Sequence, residues 1–173
     1  MRRVCSSRVP RLLASAVALT VAMLGFGFGA TPASALNHNT YNILKNADLH
    51  QYCLDITTPA PRSGAYAQLW TCTHPVVGEQ ELLLVSDNLG ADHIKIQRSG
   101  YCLDGDAVGA TETQVHPQPC DFDSGLQSWD LRDTGEIVNV ANGNCLDASP
   151  PDIKGGWVVT LPCDGSISQR WFF

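Results

Sequence analysis

The tripeptide Cys-Leu-Asp occurs three times in this chain, at Cys53-Leu54-Asp55, Cys102-Leu103-Asp104 and Cys145-Leu146-Asp147. Each copy is followed about 18 residues later by a second cysteine, Cys72, Cys120 or Cys163. A Gln-x-apolar element then comes six to eight residues further on: Gln80-Glu81-Leu82, Gln127-Ser128-Trp129 and Gln169-Arg170-Trp171. Three in-phase copies of a three-part pattern mean one structural unit used three times. A unit this short cannot bury its apolar face alone, so the three must pack around a shared axis. The spacing between successive Cys-Leu-Asp copies, 49 and then 43 residues, leaves room for about four strands and their turns in each unit.

The first 35 residues stand apart from the repeats and read as a secretion leader. Arg2, Arg3, Arg8 and Arg11 form a basic start without an acidic residue, Leu12 to Phe28 is almost wholly apolar or small, and Ala33-Ser34-Ala35 offers a small-x-small cleavage site before Leu36. The apolar run is shorter than the roughly 20 residues of a membrane-spanning helix and is interrupted by glycines. Residues 36–173 are then one domain. Removing the four leader arginines from eleven basic residues leaves seven against seventeen acidic ones. Nucleic acid and anionic membranes are poor partners for such a chain, since binding phosphates takes clusters of Lys and Arg.

Cys5 falls in the leader, so the secreted protein keeps six cysteines, an even number suited to an oxidising compartment. Six cysteines allow fifteen pairings. A unit used three times should pair the same way three times, which selects Cys53–Cys72, Cys102–Cys120 and Cys145–Cys163. Each bridge closes a loop of about 20 residues, a contribution on the order of 3 kcal/mol in the chain-entropy model. A zinc site would want close Cys-x2-Cys or His-x3-His pairs, which the sequence lacks, and no metal or cofactor is expected.

No sustained helical stripe occurs after residue 36. Short apolar or alternating runs do, at His93 to Ile96, Leu82 to Val85, Ile137 to Val140 and Trp157 to Leu161. Turn residues separate them, as at Pro59-Ala60-Pro61, Ser99-Gly100, Asn142-Gly143 and Pro150-Pro151-Asp152. This is an all-β pattern of short strands and tight turns. Cys-Leu-Asp, Gln-Leu-Trp-x-Cys and Gln-x-Trp, recurring in order over residues 41–173, resemble the ricin-B-type lectins. The resemblance implies a β-trefoil of twelve strands with repeats at about 36–90, 91–134 and 135–173. In that fold the Gln-x-Trp glutamine secures backbone contacts and its aromatic partner fills the core, a place Leu82 takes in the first repeat.

A sugar offers paired hydroxyls and a patch of C–H bonds. A carboxylate can accept from two adjacent hydroxyls, an amide both donates and accepts, and an aromatic ring can lie against the C–H face. The first repeat has all three, Asp55, Gln68 and Trp70, and Trp70 stands two residues before Cys72. By resemblance these are the sugar-contacting acid, an accessory amide and the stacking platform, joined by Glu79 and Gln80. Glu79 stands where binding repeats of the family usually carry Asn. It accepts but cannot donate, and its charge near Asp55 should raise one of the two pKa values.

The second repeat keeps Asp104 but has Gln118 at the platform position. The third keeps Asp147 but has Leu161 there, with Ser168 in place of Asn and Trp157 expected on the opposite strand face from Leu161. Asp in all three copies also suits a structural role at the turn after the cysteine. The five histidines, His38, His50, His74, His93 and His116, are expected at surfaces or turns. Hydrolase and phosphate-cradle motifs are absent, and a glycosidase pair from Asp55 and Glu79 is disfavoured, because such an acid sits in a deep cleft. The leader and the resemblance together imply a secreted, non-catalytic carbohydrate-binding protein with one weak galactose- or xylan-type site in the first repeat, whose partners are glycans and which meets a membrane only through surface glycans. The alternative is a trefoil with decayed sugar sites that binds protein, as an inhibitor or secreted effector.

Overall fold

The computed structural model describes residues 38, 40–48, 51–57, 65–75, 77–105, 113–149 and 153–173. The leader over residues 1–35, its cleavage before Leu36 and the turns expected at Pro59-Ala60-Pro61 and Pro150-Pro151-Asp152 lie outside those residues.

The first repeat contains β1 (Tyr41–Asn42), β2 (Lys45–Asn46), β3 (Cys53–Ile56), β4 (Ala67–Trp70) and β5 (Leu82–Ser86). The second contains β6 (Asp92–Ile96), β7 (Cys102–Asp104), β8 (Thr113–Gln114), β9 (His116–Gln118) and β10 (Ser128–Leu131). The third contains β11 (Ile137–Asn139), β12 (Cys145–Ser149), β13 (Trp157–Leu161) and β14 (Trp171–Phe172), with a 3-10 turn at Ile167–Gln169 before the last strand. All four strand positions anticipated from apolar runs are occupied.

The fold is a β-trefoil. Its fourteen described strands are the expected twelve with two interrupted, one as β1 and β2 and the other as β8 and β9. Val115 marks the second break. Its N–H donates to the Val158 carbonyl at 3.0 Å, and its own carbonyl accepts from the Ala67 N–H at 2.8 Å. Ala67, Val115 and Val158 are equivalent positions of the three repeats, and all are buried where the repeats meet. In each repeat the first and last strands contribute to the barrel, and the middle pair forms a hairpin: β3 with β4, β7 with β9, β12 with β13.

The three expected disulfides are present, with Cα atoms 5.1, 5.0 and 5.0 Å apart. Each second cysteine is clamped by the glutamine of its own repeat. The Nε2 of Gln80, Gln127 and Gln169 donates to the carbonyl of the residue before that cysteine, Thr71, Pro119 or Pro162. Each Oε1 accepts from the N–H of the residue after it, Thr73, Asp121 or Asp164. These amides pair part-buried backbone groups just beyond the hairpin strands, which explains why glutamine recurs here. Trp129 and Trp171 fill the core and donate through Nε1 to the carbonyls of Leu103 and Leu146. Leu82 fills the equivalent place in the first repeat.

The turn before each Cys-Leu-Asp needs a left-handed residue. Gly100 and Gly143 supply it at φ of 71° and 72°, and the first repeat uses Gln51 at 47°. Glycine adopts this conformation freely and other residues less so. His50 lies outside the described residues, and among the described histidines one departs from expectation. His93 is fully buried in β6, its Nε2–H donating to the Asp121 carbonyl at 2.9 Å and its ring stacked on Phe122. Strand alternation sets it on the face opposite the core residues Ile94 and Ile96, where an aromatic neighbour and a carbonyl partner make its burial tolerable.

Candidate functional site

Strand alternation decides which side chains of the first repeat meet. On β4, Ala67 and Leu69 face the core, while Tyr66, Gln68 and Trp70 face outward. Asp55 on β3 lies directly across from Gln68, and paired residues of neighbouring strands share a face. These residues line a depression of about 490 Å³ together with Ile56, Thr57, Thr73, Val77 and Glu79. Four of the residues expected at the site, Asp55, Gln68, Trp70 and Glu79, are thus brought to one surface. Gln80 is placed differently: it is fully buried beneath the depression.

Asp55 is nearly buried, and each carboxylate oxygen takes one amide donor. Gln68 Nε2 donates to Oδ1 and Gln80 Nε2 to Oδ2, both at 3.0 Å. An ionised carboxylate has about four acceptor directions, so both oxygens keep capacity for a ligand hydroxyl. Burial pushes the Asp55 pKa above its ordinary value. The Gln68 and Gln80 hydrogen bonds oppose that shift, and the Glu79 charge adds to it. The expected Asp55–Glu79 repulsion is therefore present, but desolvation is the larger cause.

Glu79 is held by a partner that sequence spacing does not reveal. Arg98 Nη1 lies 2.7 Å from Glu79 Oε1. The Arg98 N–H donates to the Gly78 carbonyl at 3.2 Å, which fixes the register of the two segments. The pair sits where a carboxylate alone would offer only acceptors, and it sets guanidinium donors beside them.

Trp70 is 38% exposed. Residues of the third repeat brace it: Lys154 Nζ lies 4.1 Å from the centroid of its ring. The Gly155 N–H donates to the Leu69 carbonyl at 2.7 Å, and the Leu69 N–H donates to the Gly156 carbonyl at 2.8 Å.

The profile of the ricin-type beta-trefoil lectin domain matches residues 40–171, three-quarters of the chain. The chain belongs to the ricin-type β-trefoil lectin family. Among curated relatives is the polypeptide N-acetylgalactosaminyltransferase 11 of Xenopus tropicalis, 31% identical over 84 residues. That match covers 46% of this chain and only 13% of the relative. Among solved structures, the designed threefold-symmetric protein ThreeFoil has a TM-score of 0.69 at 21% identity, over 76% of this chain and 96% of the other. The C-terminal half of an earthworm R-type lectin, solved in complex with GalNAc, has a TM-score of 0.60 at 19% identity, over 77% and 96%. Likeness at these identities speaks to the fold. Family membership makes the chain a carbohydrate-binding module.

Among the described residues of this lectin domain, the other two repeats lack the same assembly. In the second, Asp104 pairs in register with His116, and exposed Gln118 stands at the platform position opposite Cys102. In the third, Asp147 faces Val159, a buried apolar residue where the first repeat has Gln68, and Leu161 stands opposite Cys145. Ser168 Oγ donates to Asp147 Oδ2 at 3.3 Å. Gln127 Nε2 donates to Asp104 Oδ2 at 3.1 Å, as Gln80 does to Asp55. The Asp therefore has a scaffold partner even where no platform exists.

Trp157 requires a correction. It is four residues from Leu161, an even offset, and strand alternation puts the two on the same side rather than opposite sides. Trp157 is 53% exposed and pairs in register with Gln68 of the first repeat.

Proposed function

We propose that the protein is a secreted, non-catalytic lectin that holds one sugar of galactose or xylan type in the first-repeat depression. The observation that carries this reading is the convergence of Asp55, Gln68 and exposed Trp70 on one depression, in the only described repeat that joins an acid, an amide and an aromatic platform. Asp55 accepts from two adjacent sugar hydroxyls, Gln68 orients them, and the indole of Trp70 lies against the C–H face. Gln80 acts as a positioning residue by holding Asp55 from below. The Glu79–Arg98 pair supplies acceptor and donors together, in place of the amide that family members carry at position 79. The GalNAc bound by the earthworm lectin favours the galactose class. Six cysteines and the basic-apolar leader support secretion.

A glycan array of the wild type and Trp70→Ala tests the reading. The wild type is expected to retain galactose- or xylose-containing glycans, and the variant to lose them. Silence from the wild type would overturn the proposal in favour of a protein-binding trefoil.

The charge on Asp55 gives a pH dependence. Hydroxyl binding needs the carboxylate, so affinity is present above the Asp55 pKa and falls as pH drops through it. Because that pKa is raised, the loss begins at less acidic pH than for an ordinary aspartate. Glu79→Gln removes one cause of the rise and is expected to move the acid limb of binding to lower pH, as read by sugar titrations at stepped pH. An unchanged limb would separate Asp55 ionisation from binding.

A further inference from the structure

Asp55, Gln68 and Trp157 form one row across three neighbouring strands: Asp55 on β3 pairs with Gln68 on β4, and Gln68 pairs with Trp157 on β13. Paired residues point to the same face. Trp157 therefore stands on the outer surface two strand spacings from Asp55, about 10 Å away. Tyr66, a wall of the depression, meets Trp157 edge to face with ring centroids 6.3 Å apart. The aromatic surface thus continues from Trp70 and Tyr66, past the amide of Gln68, onto an indole of another repeat. A lone exposed tryptophan would need no explanation. Here the exposed indole extends a lined depression in one direction, and a single sugar ring held by Asp55 cannot cover it.

We propose that Trp157 forms a second sugar subsite, so that the ligand is a glycan chain of at least two residues running from Asp55 across β4 to β13. This rests on the first-repeat site binding a sugar. The residue next to the one held by Asp55 lays its C–H face on the Trp157 indole, with the Tyr66 ring closing the side between them. The subsite belongs to the interface of the first and third repeats, whose contact is fixed by the backbone bonds of Leu69 with Gly155 and Gly156. It selects for oligosaccharides and polysaccharides over free monosaccharides, and it explains how a shallow site in one repeat gains affinity without a second copy of itself.

The chain has four tryptophans, so their indole N–H signals in a 15N-labelled protein report on each place. Galactose and a β-linked galactotriose are titrated in parallel with xylose and xylotriose. A monosaccharide is expected to shift the Trp70 signal alone. The matching trisaccharide shifts Trp70 and Trp157 and binds about 3- to 10-fold more tightly, the gain one aromatic contact supplies. Trp157→Ala is expected to remove that gain and leave monosaccharide affinity unchanged, with Trp129 and Trp171 signals in place to show an intact core. If Trp70 responds but Trp157 does not, and Trp157→Ala keeps the trisaccharide advantage, the second subsite is refuted and the first stands. If no sugar moves any signal, both are refuted.

Discussion

Replacing Trp129 with alanine is expected to lower the unfolding free energy by about 3–5 kcal/mol, the range for deleting a large buried aromatic side chain. In a domain of this size that is a fall of about 10–20 °C in Tm. Trp129 has no exposed surface, and its Nε1–H donates to the Leu103 carbonyl at 3.1 Å. Alanine would leave a cavity and also remove the partner of a buried carbonyl. The cavity has little means to collapse, because Gly105 already packs against this ring: a Cβ there would come within 3.2 Å of Trp129 Cη2. Trp129→Leu is expected to cost less than half as much, since Leu82 fills the equivalent place in the first repeat. Urea titrations followed by near-ultraviolet circular dichroism measure both. A loss below about 1.5 kcal/mol for Trp129→Ala would mean that the core repacks like a far softer site than buried aromatics usually occupy.

The threefold scaffold was legible in the sequence because each of its devices recurs at a fixed offset. The Cys-Leu-Asp, second cysteine and Gln-x-apolar elements report the hairpin, its disulfide and the glutamine clamp. Asp55, Gln68 and Trp70 were legible for the same reason, since one hairpin register relates them. The features that escaped are contacts between repeats. Arg98 reaches Glu79 from the start of the second repeat, and Trp157 reaches Gln68 from the third. No local offset connects those residues, and only closure around the axis brings them together. A correct count along β13 does place Trp157 with Leu161, but which strand it then faces depends on tertiary pairing. His93 escaped because a polar residue inside an alternating strand shows nothing of the Asp121 carbonyl and Phe122 that receive it. The two strand interruptions were equally hidden. At Val115 the backbone leaves its own hairpin to bond both neighbouring repeats, a demand of symmetry rather than of local composition.

Asp55→Asn is expected to reduce sugar affinity about 10- to 100-fold, the loss of a charge-assisted hydrogen-bond acceptor, while leaving the fold at least as stable at neutral pH. The two effects separate because of how Asp55 is held. Its folded-state pKa is raised above the unfolded value, mainly by burial. A group of this kind contributes stability that is present below the unfolded pKa and is lost as pH rises through the folded pKa. At neutral pH its charge is therefore a cost to folding. Asparagine removes that charge, keeps an oxygen for buried Gln80, and turns its amide toward half-buried Gln68, whose own amide can reverse to accept. Asp104→Asn is the control in a repeat without a platform. Its asparagine oxygen likewise still accepts from Gln127, and the variant is expected to leave sugar binding unchanged. Calorimetric titration with the trisaccharides and thermal melts of both variants decide the matter. If Asp55→Asn destabilised the protein and still bound sugar, the first-repeat aspartate would be a scaffold residue rather than a ligand contact. If sugar binding alone is lost, the charge at Asp55 is retained against its folding cost for the ligand, and the site is distinguished from its symmetry mates by chemistry as well as by shape.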